Sequence, residues 1–82
     1  MYELECRIGL GIFSNERLVT FVSADGSEYS ALVDRTHLMG DDTGDGRMRV
    51  RANLEGDRAV IVLPNSGDRV FVSSGQLSPI RS

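Results

Sequence analysis

Arg47, Arg49 and Arg51 alternate with Met48, Val50 and Ala52. On an extended chain this spacing puts the three guanidinium groups on one face, about 7 Å apart. Arg58 and Arg69 open the next two apolar stretches. A sheet face with several arginines can neutralise phosphates, donate paired N–H groups to them and stack on bases. Arg47, Arg49, Arg51, Arg58 and Arg69 are therefore the candidate polyanion-binding set. Simple charge pairing competes with it. Glu3 and Glu5 alternate in the same way, and exposed cross-strand pairs contribute about 0.2–1 kcal/mol each. The outward positions of the arginine strand hold no aromatic residue, which favours pairing.

Other chemistry is thinly represented. Asp41-Asp42-Thr43-Gly44-Asp45-Gly46 matches the first half of a calcium loop, with oxygens at positions 1, 3 and 5 and glycine at 6. Position 12 should be a bidentate carboxylate and is Ala52, so a solvated hairpin tip is expected. Cys6 is the one cysteine and falls on the apolar face of its segment by parity, which predicts an inert buried thiol. His37 is the one histidine, beside Asp34 and Arg35 in a polar stretch, which predicts a surface residue. A nucleophile needs a base within hydrogen-bond reach, and Cys6 with His37 is the pair that would supply it. Glu3 and Glu5, two apart, share the polar side of a strand, whereas paired-carboxylate catalysis needs a pocket. Gly9 and Gly11 are not followed by a helix, so they form no phosphate-binding loop. The expectation is no catalytic residue, no metal and no cofactor.

Composition narrows the class further. The chain has 82 residues, enough for one domain over residues 1–82. It has no tryptophan, two tyrosines and three phenylalanines, so Val, Leu and Ile must supply the core. One cysteine allows no internal disulfide, and Glu3 and Glu5 stand where a signal peptide would be basic and then apolar. The longest apolar run, residues 59–63, is too short to cross a bilayer. A cytoplasmic location without membrane contact is expected. All nine basic residues are arginine, as biased genomic composition would give. Residues 1–46 hold nine acids and three arginines, and residues 47–82 hold three acids and six arginines. Such asymmetry fits a polyanion-binding half or acidic and basic strands lying side by side.

The positioning elements are strands, because apolar residues recur with a period of two. Tyr2, Leu4, Cys6 and Ile8 face inward, with Glu3, Glu5 and Arg7 outward, and Ile12 and Phe13 extend the run to a turn at Ser14-Asn15-Glu16. Gly9 and Gly11 mark a bulge, bend or close backbone approach. Residues 17–23 are apolar on both faces, which predicts a central strand or a barrel corner. Asp25-Gly26 predicts a type I′ hairpin with Val22 across from Tyr29 and Leu18 across from Val33. After a strand at 27–33, residues 34–46 read as a loop. The next strand turns Met48, Val50, Ala52 and Leu54 inward and Arg47, Arg49, Arg51 and Asn53 outward, then turns at Glu55-Gly56-Asp57. Residues 58–63 form a further central strand, stopped by Pro64. Residues 69–73 make a short strand, 74–77 one helical turn and 78–80 an edge piece.

This pattern predicts an all-β fold: a small, partly open barrel of five to six strongly bent antiparallel strands. The interval from Gly40 to Gly46 cannot hold the helix common in OB-folds, which favours an SH3-like form. The C-terminal part, with its meander at 48–63, the Arg69-Val70-Phe71-Val72-Ser73 strand, the helical turn and the short last strand, resembles the end of SH3-like barrels. It is also similar to small bacterial proteins closed by an Arg-Val-aromatic-Val strand. The resemblance implies a fold and no activity. The tryptophan and paired tyrosines of a proline-rich-peptide groove are missing. Residues 17–39 resemble an Sm-like RNA-binding pattern in Gly26, Asp34 and Met39, but Ser30 and Gly40 stand where that family has glycine and asparagine. The expected function is a non-enzymatic interaction module whose partner is another protein or a second copy. The alternative is a nucleic-acid-binding barrel using the arginine stripe.

Overall fold

The computed structural model describes residues 1–40 and 43–80. It is all-β, with 65% of the described residues in strands. The strands are β1 (Tyr2–Leu10), β2 (Glu16–Val22), β3 (Glu28–Asp34), β4 (Leu38–Gly40), β5 (Gly44–Glu55), β6 (Arg58–Val62), β7 (Arg69–Ser73) and β8 (Leu77–Pro79). Single 3₁₀ turns, Arg35–His37 and Ser74–Gln76, lead into β4 and β8. The strands run antiparallel in the order β3-β2-β1-β5-β6-β7, with β4 added beside β5 and β8 beside β1. The sheet curls into a half-barrel.

β5 holds the two halves together. Its residues 44–50 pair with β1, from Ile8↔Gly44 to Tyr2↔Val50. Its residues 51–55 pair with β6, from Arg51↔Val62 to Glu55↔Arg58. The strand changes partner between Val50 and Arg51 without losing its alternation, so Met48 and Val50 stay buried while Arg47, Arg49 and Arg51 stay exposed. The core collects the inward residues of every long strand: Leu4, Cys6 and Ile8, Val19 and Phe21, Val33, Met48 and Val50, Ala59 and Ile61, Val70 and Val72, with Leu63. Leu54, expected inward, lies past the end of this core and is 42% exposed.

The β2–β3 hairpin departs from the sequence expectation by one residue. Phe21 pairs with Tyr29 and Leu18 with Leu32. Asp25 does not take the positive φ that a type I′ turn requires, and Gly26 alone does in this loop, at φ 88°. Ser23 instead pairs with Ser27 through its N–H (2.8 Å), and Gly26 N–H donates to Ser23 C=O (3.0 Å). The result is a three-residue loop ending in a left-handed glycine. A one-residue change of register reverses the facing of a strand relative to its partner. Here it sets Phe21 against Tyr29, ring centroids 5.4 Å apart, and leaves Leu18, Val22 and Leu32 exposed on the outer face.

Two other expectations are corrected. Ile12 and Phe13 do not extend β1, which ends at Leu10. Residues 34–46 are not a continuous loop, because they contain a 3₁₀ turn, β4 and the first residues of β5.

The ends of the curled sheet are drawn together by bonds outside the ladders. Ala24 N–H in the hairpin loop donates to Phe71 C=O on β7 (2.8 Å). Gln76 Nε2 donates to Val22 C=O (2.9 Å), while its Oε1 accepts from Ser73 N–H (2.9 Å). One side chain thus caps the 3₁₀ turn and ties it to β2. Gln76→Glu should keep the cap and lose the tie to Val22, lowering stability by about 1 kcal/mol in urea denaturation.

Gly46 is fixed by close approach. A Cβ there would meet Ile8 Cδ1 and sit 2.8 Å from Met39 C=O. Gly46→Ala should cost about 1–3 kcal/mol by overpacking. Adding Ile8→Val should recover only part of this, because the β4 carbonyl remains in the way.

Candidate functional site

The five arginines do not form one stripe, because β5 changes neighbours beneath them. Arg47 and Arg49 lie where β5 pairs with β1, opposite Glu5 and Glu3. Arg47 Nη1 stands 3.5 Å from Glu3 Oε1, and Arg49 Nε donates to Met39 Sδ (3.3 Å). Glu3 faces outward yet is only 9% exposed, since β5 and β8 flank it on either side and Arg47 reaches it. Pairing of this part of the stripe with the β1 acids is therefore realised at Glu3.

Arg51, Arg58 and Arg69 come together on the outer face of β5, β6 and β7. Strand register builds the face in rows: Arg51–Val62–Arg69, then Asn53–Val60–Phe71, then Glu55–Arg58–Ser73. Val60 and Val62 are half-buried between exposed flanking side chains. Phe71 is 54% exposed, and Arg58 Cζ lies 6.0 Å from its ring centroid, within cation–π range. The arginine strand itself carries no outward aromatic. The aromatic sits two strands away, where only the register could place it, although the outward parity of Phe71 between Val70 and Val72 was visible.

A second surface lies at the β1–β2 connection. Leu10, Ile12 and Phe13 are 74%, 76% and 65% exposed. The connection is a tight turn. Gly11 already sits so close to Glu16 that a Cβ would come within 2.7 Å of its carbonyl oxygen, and Glu16 N–H bonds Phe13 C=O (3.0 Å) to close the turn. Beneath it, Arg17 takes a core-facing position of β2 at 6% exposure. Its Nη1 donates to Ser14 and Glu16 carbonyls (3.0 and 2.7 Å). In the sequence Ile12 and Phe13 continue the apolar run of β1 up to the Ser14 turn, which conceals a tip.

The remaining candidates stay apart. Cys6 lines a groove with Met39, Gly40 and Asp45, and His37 lines a different one with Arg49, Arg51 and Pro64. Asp41 and Asp42 of the calcium-loop match lie outside the described residues. Gly44, Asp45 and Gly46 of that match belong to β5. Among the described residues no group of three or more His, Cys, Asp and Glu could hold a metal ion. Asp25 and Asp34 titrate below the usual carboxylate range, and turns explain both. Ser23 hydroxyl and Ser27 N–H donate to Asp25, and Thr36 N–H donates to Asp34.

Burial pushes the Cys6 thiol up to about 11, against 9.0 for an exposed thiol. Between these values the unfolded chain has lost the proton and the native chain has not, so native stability falls as pH rises through this window. Urea midpoints should fall above about pH 9 more steeply for the wild type than for Cys6→Ala. At neutral pH a disulfide reagent should label Cys6 only as fast as the barrel opens. No helix among the described residues is long and apolar enough to cross a membrane. Searches of protein-family models, curated proteins and solved structures find nothing that matches this chain.

Proposed function

We propose that this chain is a non-enzymatic, cytoplasmic interaction module of the SH3-like kind, which docks through its β1–β2 tip onto protein, in the first instance a second copy of itself. The observation that carries this reading is the exposure of Leu10, Ile12 and Phe13 within four consecutive positions. A scattered exposed leucine needs no explanation, but a cluster of large apolar side chains on one tip marks a contact. The chain also displays a surface that could receive it. Leu18 and Leu32 pair directly across β2 and β3, and both are exposed along with Val22.

The affinity of such a contact is limited. Burying three large apolar side chains gains about 1.5–3 kcal/mol each, against an association cost of roughly 4–15 kcal/mol. Weak, concentration-dependent self-association is therefore expected. Being apolar, it should be insensitive to salt.

Sedimentation velocity over a wide concentration range tests this. The wild type should grow in mean mass with concentration equally at low and high salt. Ile12→Ser/Phe13→Ser should stay monomeric with an unchanged thermal midpoint, since neither side chain is in the core. A wild type that sediments as a monomer at every concentration, indistinguishable from the double variant, would remove self-association through the tip.

A further inference from the structure

We infer that the outer face of β5, β6 and β7 is a binding site for single-stranded nucleic acid, with Phe71 as the stacking platform and Arg51, Arg58 and Arg69 as the phosphate contacts. The site is independent of the β1–β2 tip. It draws together residues that are scattered in sequence and meet only through the pairing of three strands.

The chemistry selects the ligand. An inorganic anion would need the arginines alone. The middle row instead offers an exposed aromatic ring, an apolar Val60 beside it and the amide of Asn53. Aromatic rings hold bases of any identity by stacking, and an amide can serve base edges or sugar hydroxyls. Arg51 and Arg69 stand on either side of Val62, about 10 Å apart, one residue pair (about 7 Å) along the strands from the Phe71 row. A base resting on Phe71 leaves its flanking phosphates within reach of these long side chains. Arg58 lies against the ring on its other side and can extend the stack with its planar guanidinium. A duplex keeps its bases inside, where Phe71 cannot reach them, so single strands are preferred.

The charge of the face is locally complementary. Three arginines face one acid, Glu55, which is paired in register with Arg58. Asp25 lines the groove that continues from Phe71 toward the hairpin. Its carboxylate is held ionised by Ser23 and Ser27 and bounds the phosphate path on that side. Arg47 lies outside the site, on the stretch of β5 that pairs with β1, where it reaches Glu3.

Fluorescence anisotropy with a labelled oligodeoxythymidine, titrated at several salt concentrations, tests the proposal. Binding should weaken with salt along a log–log slope between about −1.4 and −2.1, for two to three phosphate contacts. Phe71→Ala and Phe71→Leu should each weaken binding roughly 5- to 100-fold without changing that slope. Arg51→Ala/Arg69→Ala should flatten the slope by about 1.4. Arg47→Ala should bind as the wild type does, and so should Ile12→Ser/Phe13→Ser, which separates this site from the tip. All the substituted side chains are exposed or half-exposed, and circular dichroism melts will confirm that the variants fold. The proposal is overturned if no binding occurs at low salt. It is also overturned if duplex or polyglutamate competes as well as the single strand, or if both Phe71 variants bind like the wild type.

Discussion

The structure rests on one strand serving both halves of a single curled sheet. β5 runs for 12 residues, longer than any one neighbour could pair, and hands its ladder from β1 to β6 between Val50 and Arg51. Backbone groups on a buried strand must be paired along its whole length. β5 lies between β1 and β6 in the strand order, and its residues 46–48 pair with β4 as well as with β1. The offset of β1 and β6 along β5 places one half of the sheet at each end of the strand. It also fixes where the inward residues meet. Met48 and Val50 face the β1 half, Ala52 reaches toward the β6 half, and the two groups share one core.

The same handover decides what the outer surface can do. Three arginines spaced evenly in sequence are divided by it into a pair beside the β1 acids and a third beside Val62 and Arg69. Side chains on neighbouring strands interact when they are register partners or diagonals. Arg47 therefore finds Glu3, while Arg51 finds another arginine across a valine. At the far ends of the sheet, Gln76 and the Ala24–Phe71 bond draw β7 against the hairpin. This leaves the ring of Phe71 on the outside while its backbone carbonyl is used for closure.

Much of this was legible in the chain. The inward set on β1, the alternation of β5, the turn at residues 64–68, the short strand of 69–73 and the helical turn after it are local patterns, and local patterns survive into the fold. What failed was non-local or hung on a single torsion. The Asp25-Gly26 signal was right about a hairpin and wrong by one residue about its register, because one positive φ rather than two was used. Leu54 obeyed the period-two rule and Ile12 and Phe13 continued an apolar run, yet all three lay beyond the core. Periodicity states which side a residue faces, not whether anything is there to cover it. The outward positions of the arginine strand hold no aromatic residue, and Phe71 joins that face from two strands away, because sheet faces are assembled across strands.

The acidity of the whole chain is a weaker guide to its ligands than the arrangement of its charges. The net charge is −3, yet the molecule extends 37 Å along its longest axis, and at physiological ionic strength fields between exposed charges fade over about 8 Å. An anion approaching the β5–β6–β7 face therefore feels chiefly Arg51, Arg58, Arg69 and Glu55, with Asp25 at the edge of the face, rather than the other acids on the first half of the chain. At very low salt the screening length grows to about 30 Å, and the acidic half begins to oppose the approach. Two opposing effects of salt follow from one charge distribution: counterion release favours contact at low salt, and long-range repulsion opposes it there. The short-range effect dominates where the arginines are adjacent, and strand register makes them so.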